Sequence, residues 1–192
     1  TGASPSPGPW GFDGSTKLSY RELLALSALP CSLLIIGGGS IGCEFASCFA
    51  DMGVSVTIVE QQAQVLPGED PEAVEVLVQR LQSCGVTVVT NTTVATLTAS
   101  ARGVQATTST GQSLQAETCL IAIGLQPNSR GLGLEQLGIG TDGGVAVNEF
   151  LLTTRPHIAA IGDCLPGHGL AHWASAEGSL AVRNLFQQPP VS

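Results

Sequence analysis

The stretch LLIIGGGSIGCEFASCFADMGVSVTIVE, Leu33–Glu60, decides the fold. It opens on an apolar run, Leu33–Ile36, that reads as a parallel strand buried on both faces. Three glycines stop the run. Beyond them Ile41, Phe45, Cys48, Phe49 and Met52 recur at spacings of three and four, the period of one helix face, until Gly53 ends the helix. Val54–Glu60 is β-branched and strand-like. Strand, glycine turn, helix and strand in that order make a βαβ unit, which implies a parallel sheet with crossover helices.

The glycine turn carries G-x-G-x-x-G as Gly37, Gly39 and Gly42. Gly37 permits the tight turn, Gly39 lets a pyrophosphate approach the backbone, and Gly42 lets helix and strand pack closely. The helix N-terminus offers N–H groups and a partial positive charge to phosphates. Glu60 stands 23 residues after Gly37. A carboxylate there is placed to bind an adenosine ribose 2′-OH, and the following Gln61 and Gln62 bring no cation for a 2′-phosphate, which favours NAD over NADP. The competing reading is a plain strand–helix turn with an exposed Glu60. Glu44, on the first helical turn, reads equally as a ligand-side carboxylate or as an acid favoured there by the helix dipole.

Working outward, Thr1–Gly14 is turn-rich. Ser19–Leu29 reads as a short helix, with Ser19 and Glu22 forming a capping box and Pro30 as its stop. Pro71–Cys84 is another helix pattern, capped by Asp70, and Val86–Val89 a further buried strand. Thr92–Thr98, Gly103–Ser109 and Ser113–Ala116 alternate and are rich in Thr and Val, with Thr110-Gly111 as a hairpin turn; they predict a small antiparallel meander. Cys119–Gly124 returns to a buried strand. Gln126–Gly144 reads as loop, Val145–Val147 and His157–Ile161 as short strands, and Leu170–Gln187 as a last helix interrupted at Gly178. Asp163 follows the apolar His157–Ile161 stretch through Gly162, a position that suits a ligand group or an ordinary turn or cap equally well.

Composition bounds the rest. The chain has 192 residues, 43% hydrophobic and 11% charged, with 24 glycines and a net charge of −8. Seven Lys and Arg against fifteen Asp and Glu, with the arginines dispersed, argue against duplex nucleic acid as a partner. No apolar run reaches the roughly 18–20 residues of a membrane span, and no signal-peptide pattern opens the chain. The six cysteines form no C-x-x-C pair and no zinc spacing. Cys43 and Cys48 lie five apart on a helix, about 500° of turn, so their side chains diverge and a disulfide is not expected. Reduced cysteines favour a reducing compartment: cytoplasm, or mitochondrial matrix or plastid in a eukaryote. His157, His168 and His172 fit no catalytic or metal-ligand spacing.

Four segments share one further property. GGGSIGCEFA with VTIVE, then CLIAIGLQPNS, then IAAIGDCLPGHGLAHWASAEG, together with the opening TGASPSPGPWGFDGS, resemble the dihydrolipoamide dehydrogenase branch of the flavin-dependent pyridine nucleotide–disulfide oxidoreductases. The resemblance runs from Thr1 to about Gln187, and Leu170–Gly178 is its most discriminating piece. Ser40 and Trp173 fall at variable positions.

The resemblance implies an α/β architecture: a Rossmann-like NAD-binding domain at 30–144, flanked by FAD-domain segments at 1–29 and 145–192. It implies that Gly37, Gly38, Gly39, Ser40, Ile41, Gly42, Cys43, Glu44, Glu60, Val94 and Gly124 face NAD, with Glu44 beside the nicotinamide. Thr1, Gly2, Ala3, Asp163, Gly169, Leu170, Ala171 and His172 would face FAD, Asp163 at the ribityl chain. The family's redox cysteine pair, its first G-x-G-x-x-G and its C-terminal dimerisation domain with the catalytic His–Glu pair are not in the sequence. The chain is therefore expected to be an internal part of a longer, homodimeric enzyme and inactive alone. The alternatives are another reductase on the same scaffold, such as an NADH oxidase or a mercuric-reductase relative, and an NAD-binding module without turnover.

Overall fold

The computed structural model describes residues 1–167 and 169–186. In chain order the elements are β1 (Ala3–Pro5), β2 (Lys17–Leu18), α1 (Tyr20–Leu24), β3 (Ser32–Ile36), α2 (Ser40–Asp51), β4 (Ser55–Val59), α3 (Pro71–Ser83), β5 (Thr87–Val89), β6 (Val94–Ser100), β7 (Gly103–Thr108), β8 (Ser113–Ala116), β9 (Thr118–Ile121), β10 (Leu125–Pro127) and α4 (Ala171–Phe186). Short 3-10 turns lie at Gly8–Trp10, Glu135–Leu137 and Gly162–Cys164.

The chain divides into two compact units: Pro5–Gly124, and Thr1–Ser4 with Leu125–Ser192. These limits differ from the expected boundaries at 29/30 and 144/145. Lys17–Leu18 pairs with β9 and so belongs to the central sheet, which pulls the chain from Pro5 onward into the first unit. Residues 125–144 go the other way: Ile139 packs with Val145 and Cys164 in a small separate core.

In the Pro5–Gly124 unit a five-stranded sheet runs β2-β9-β3-β4-β5, with every pair parallel. Strand β3 shows why its apolar run is continuous. Leu33 and Ile35 face one core with Phe49, Val56, Ile58, Val74 and Leu81. Leu34 and Ile36 face the other, against Val94, Leu97, Val104 and Ala106 of the antiparallel sheet β6-β7-β8. Helices thus cover one face and the meander covers the other, so both need apolar side chains. This bears out the expected α/β class with its parallel sheet and antiparallel meander.

Local determinants act as read, with exceptions. Asp70 caps α3 by accepting from the Glu72 and Ala73 N–H groups, with Pro71 in the first turn. The Ser19–Glu22 capping box is formed, but α1 stops at Leu24 rather than continuing to Leu29. Leu24 and Leu29 are exposed, so no buried face sustains further turns.

In the other unit β1 pairs with β10, both unforeseen. The strands expected at Val145–Val147 and His157–Ile161 reduce to one antiparallel bridge, Leu152 with Ala159. The Val145 and Ala146 N–H groups donate to Cys164 and Gly140 carbonyls, so the segment bonds to loops and has no ladder to join. Helix α4 runs unbroken through Gly178, where a Cβ would meet Ile161 Cδ1 at 3.4 Å. His168 and Gln187 lie outside the described residues.

Candidate dinucleotide-binding site

Parallel strands bring their C-terminal ends to one edge, and the glycine loop lies there. Chain order moves from β3 outward through β4 to β5, then returns on the far side of β3 as β9. The loop after β3 therefore sits where strand order reverses, the place where open α/β sheets leave a crevice for ligands.

Gly37 has φ +106°, and a Cβ there would overlap the Ala122 carbonyl oxygen just beyond β9. A Cβ on Gly42 would overlap the Gly37 carbonyl oxygen and reach Ile35 at 3.3 Å. These two glycines hold loop, helix and sheet in contact. Gly39, the N-cap of α2, has nothing within 4 Å of a would-be Cβ and brings no side-chain acceptor to the first turn. The start of this twelve-residue helix thus has room beside Gly39 and no side chain capping its first N–H groups, as an approaching phosphate requires.

Glu60 is 5% exposed, which removes the reading of it as a solvated turn acid. Its Oε2 accepts from the Gly38 N–H at 2.6 Å and its Oε1 from the Gln62 N–H at 2.8 Å. Each carboxylate oxygen keeps a lone pair, so the group retains acceptor capacity beyond its structural bonds. Cys43 is buried beneath the loop and donates its thiol to the Gly38 carbonyl at 3.4 Å. Burial, with Glu60 and Glu44 nearby, pushes that thiol's pKa up to about 11.

The remaining expected residues distribute as follows. Ser40 and Ile41 form the first turn of α2. Gly124 follows β9 with φ +120°, and its carbonyl accepts the Ser6 N–H at 3.0 Å. Val94 begins β6 with its side chain buried against Ile36 and Val59. Glu44 is exposed and lines a groove of about 410 Å³ with Phe45 and Cys48 of α2, with Met52 just after it and with residues between Leu23 and Leu29.

The second set falls entirely in the other unit. Asn128 ties down the N-terminus: its N–H donates to the Gly2 carbonyl at 2.8 Å and its Nδ2 to that of Thr1 at 3.1 Å. Ala3 opens β1. Asp163 lies in the Gly162–Cys164 turn, with its Oδ1 4.0 Å from where a Gly169 Cβ would stand. Leu170 immediately precedes α4, and Ala171 and His172 open it. Glu177 was not singled out from the sequence. Its Oε2 accepts the Gly162 N–H at 2.6 Å and hooks α4 onto the turn that presents Asp163. The two partners are fifteen residues apart, so no local pattern shows the bond.

A sequence model of the family described as pyridine nucleotide-disulphide oxidoreductase matches residues 1–178. The chain belongs to this family. Among the pyridine nucleotide-disulphide oxidoreductases, a dihydrolipoyl dehydrogenase of Bacillus subtilis is 38% identical over 187 residues, covering 95% of this chain and 40% of that protein. An NAD(P)H dehydrogenase (quinone) of Mycobacterium tuberculosis strain H37Rv is 37% identical over 185 residues, covering 95% and 38%. The crystal structure of LpdA from Mycobacterium tuberculosis superposes with a TM-score of 0.91 at 35% identity, over all of this chain and 43% of that one. RclA, the HOCl-induced flavoprotein disulfide reductase of Escherichia coli, gives 0.89 at 32%, over all of this chain and 45% of that one. The chain thus spans about two fifths of the length of these relatives. Members of the family use FAD and NAD(H). Among the described residues no helix is long and apolar enough to cross a membrane.

Proposed function

We propose that this chain is the NAD(H)-binding part of a flavin-dependent disulfide oxidoreductase, of the dihydrolipoyl dehydrogenase type. The observation that carries the reading is the loop between β3 and α2. It is packed closely at Gly37 and Gly42, open at Gly39, and adjoined by the buried carboxylate of Glu60. Bound NAD⁺ would supply a two-electron hydride acceptor. The first turn of α2 would take the pyrophosphate through its N–H groups and its dipole. Glu60 would accept from the adenosine ribose and disfavour a 2′-phosphate, since like charges would meet without a compensating cation. Glu44 would stand toward the nicotinamide end.

The Thr1–Ala3, Asp163 and Gly169–His172 set would belong to an FAD site, with Glu177 holding the Asp163 turn in place. Oxidation of the dihydrolipoyl dithiol needs an enzyme disulfide. The family's cysteine pair is not in this sequence, so these 192 residues by themselves should not turn dihydrolipoamide over. Steady NAD⁺-dependent oxidation of dihydrolipoamide by this chain alone would overturn that statement. A second reading is a reductase with another acceptor on the same scaffold; the comparable identities of the quinone dehydrogenase and RclA favour it over an NAD-binding module without a catalytic parent. Calorimetric titration with NADH and NADPH tests the shared claim. NADH should bind and NADPH bind more weakly, while binding of neither would remove the Gly37–Glu60 assignment.

A further inference from the structure

We propose that the segment Gln61–Glu69 is a positioning strap for the dinucleotide loop, with Val65 and Leu66 fixing the Gly38 peptide. The inference rests on the NAD(H) reading above and deepens it. The strap has no helix or strand of its own, yet Val65 is fully buried and belongs to the core that includes Ile35, Ile58 and Val74. Its methyl Cγ1 closes over Gly38, only 2.7 Å from where a Cβ would stand. Leu66 then takes φ +47°, a left-handed conformation costly for a branched, bulky side chain. That turn delivers the Leu66 N–H to the Gly38 carbonyl at 2.7 Å.

The Gly38 peptide is consequently held from both ends. Its N–H donates to Glu60, and its carbonyl accepts from Leu66 and from the Cys43 thiol. The far side of the strap is pinned too. The Asn91 N–H, on a second left-handed residue at φ +51°, donates to the Gln62 carbonyl at 2.8 Å. Of the three non-glycine residues with positive φ among the described residues, one lies in this segment and a second bonds to it. Gly38 directly precedes Gly39, whose N–H opens the helix N-terminus. Setting the Gly38 plane sets the direction of the phosphate-facing amides, and displacements of even an ångström at a preorganised site carry large losses. Val65 and Leu66 are positioning residues; neither touches the nucleotide.

The test uses the full 192-residue chain and three probes: NADH, ADP-ribose and adenosine. Val65→Ala should weaken NADH and ADP-ribose about tenfold while changing adenosine by less than about twofold, because only the first two carry the pyrophosphate. A role confined to stability would lower all three alike. In a Gly38→Ala background the sign should reverse: the new methyl would stand 2.7 Å from Val65 Cγ1, closer than to Glu60 Cβ at 3.1 Å, and adding Val65→Ala should recover part of the lost NADH affinity. Equal losses for the three probes, or additive losses in the double variant, would overturn the strap. Failure of the unmutated chain to bind NADH would instead remove the NAD(H) reading and the strap with it. Amide hydrogen exchange on the unmutated chain needs no variant. The Leu66 N–H should be protected and slow further on NADH addition, and exchange at the rate of a free loop amide would contradict the proposal.

Discussion

The Glu60 carboxylate and the Gly38 N–H meet at 2.6 Å across 22 residues of chain, and the acid is buried. The residue placed to read a ribose is thus also a clasp for the loop that would hold the pyrophosphate. Glu60→Gln puts an amide donor against the Gly38 or Gln62 N–H and should cost about 1–3 kcal/mol of stability, read by chemical denaturation. Glu60→Ala should weaken NADH more than NADPH. Equal losses would mean that the carboxylate acts only as the clasp.

Two glycines of one motif should fail in opposite ways. Gly42→Ala drives a methyl into the Gly37 carbonyl, so it should destabilise the Pro5–Gly124 unit by more than about 2 kcal/mol or prevent its folding. Gly39→Ala meets open space and should leave the melting temperature within a few degrees while abolishing detectable NADH binding. Parallel thermal melts and titrations distinguish the two.

Asp13 sets an acid limit. Burial opposes its charge, but the Lys17, Thr16 and Ser15 N–H groups and the Thr16 hydroxyl outweigh that and hold its pKa well below the usual carboxylate range. Glu22 is lowered as well, chiefly by the Ser19 hydroxyl. A pKa depressed in the folded state stabilises above the unfolded value, near about 4, and the contribution is lost as pH falls further. Asp13→Asn should therefore lower the melting temperature at pH 7, and the difference from the unmutated chain should shrink below about pH 4.

The cysteines should divide by burial. Cys43 and Cys119 are buried with raised pKa values, whereas Cys31 and Cys48 are exposed, and all are free thiols. Brief native alkylation at pH 8 followed by mass spectrometry should modify Cys31 and Cys48 and spare Cys43 and Cys119.

Glu177→Gln should loosen the Gly162 turn by about 1–2 kcal/mol of local stability. Faster amide exchange at Gly162 and Asp163, with no change within Pro5–Gly124, is the expected pattern.

The sequence disclosed β3, α2 and β4 because burial on both faces and a 3.6-residue period leave marks on consecutive residues. Gly37, Gly39 and Gly42 were legible because their fixed spacing falls between a strand and a helix on consecutive residues, although the clash that requires Gly37, with Ala122, is not local. The strap was not legible. Its role depends on a left-handed Leu66 meeting a carbonyl 28 positions earlier, and Gln61–Glu69 carries no period. Glu177 was hidden likewise, its partner lying on a different element. Val145–Val147 misled because β-branched residues favour strands only where a neighbour offers a ladder, and here the N–H groups go to loops.

The most direct measurement is amide chemical-shift mapping of the 192-residue chain during NADH titration. The largest changes should fall on Gly37–Gly42 and Glu60–Gln62, with Leu66 following through its bond to Gly38. Changes confined to Leu23–Leu29, on the side of the groove away from the glycine loop, or none at the glycine loop at saturating NADH, would contradict the assignment of this site to the dinucleotide.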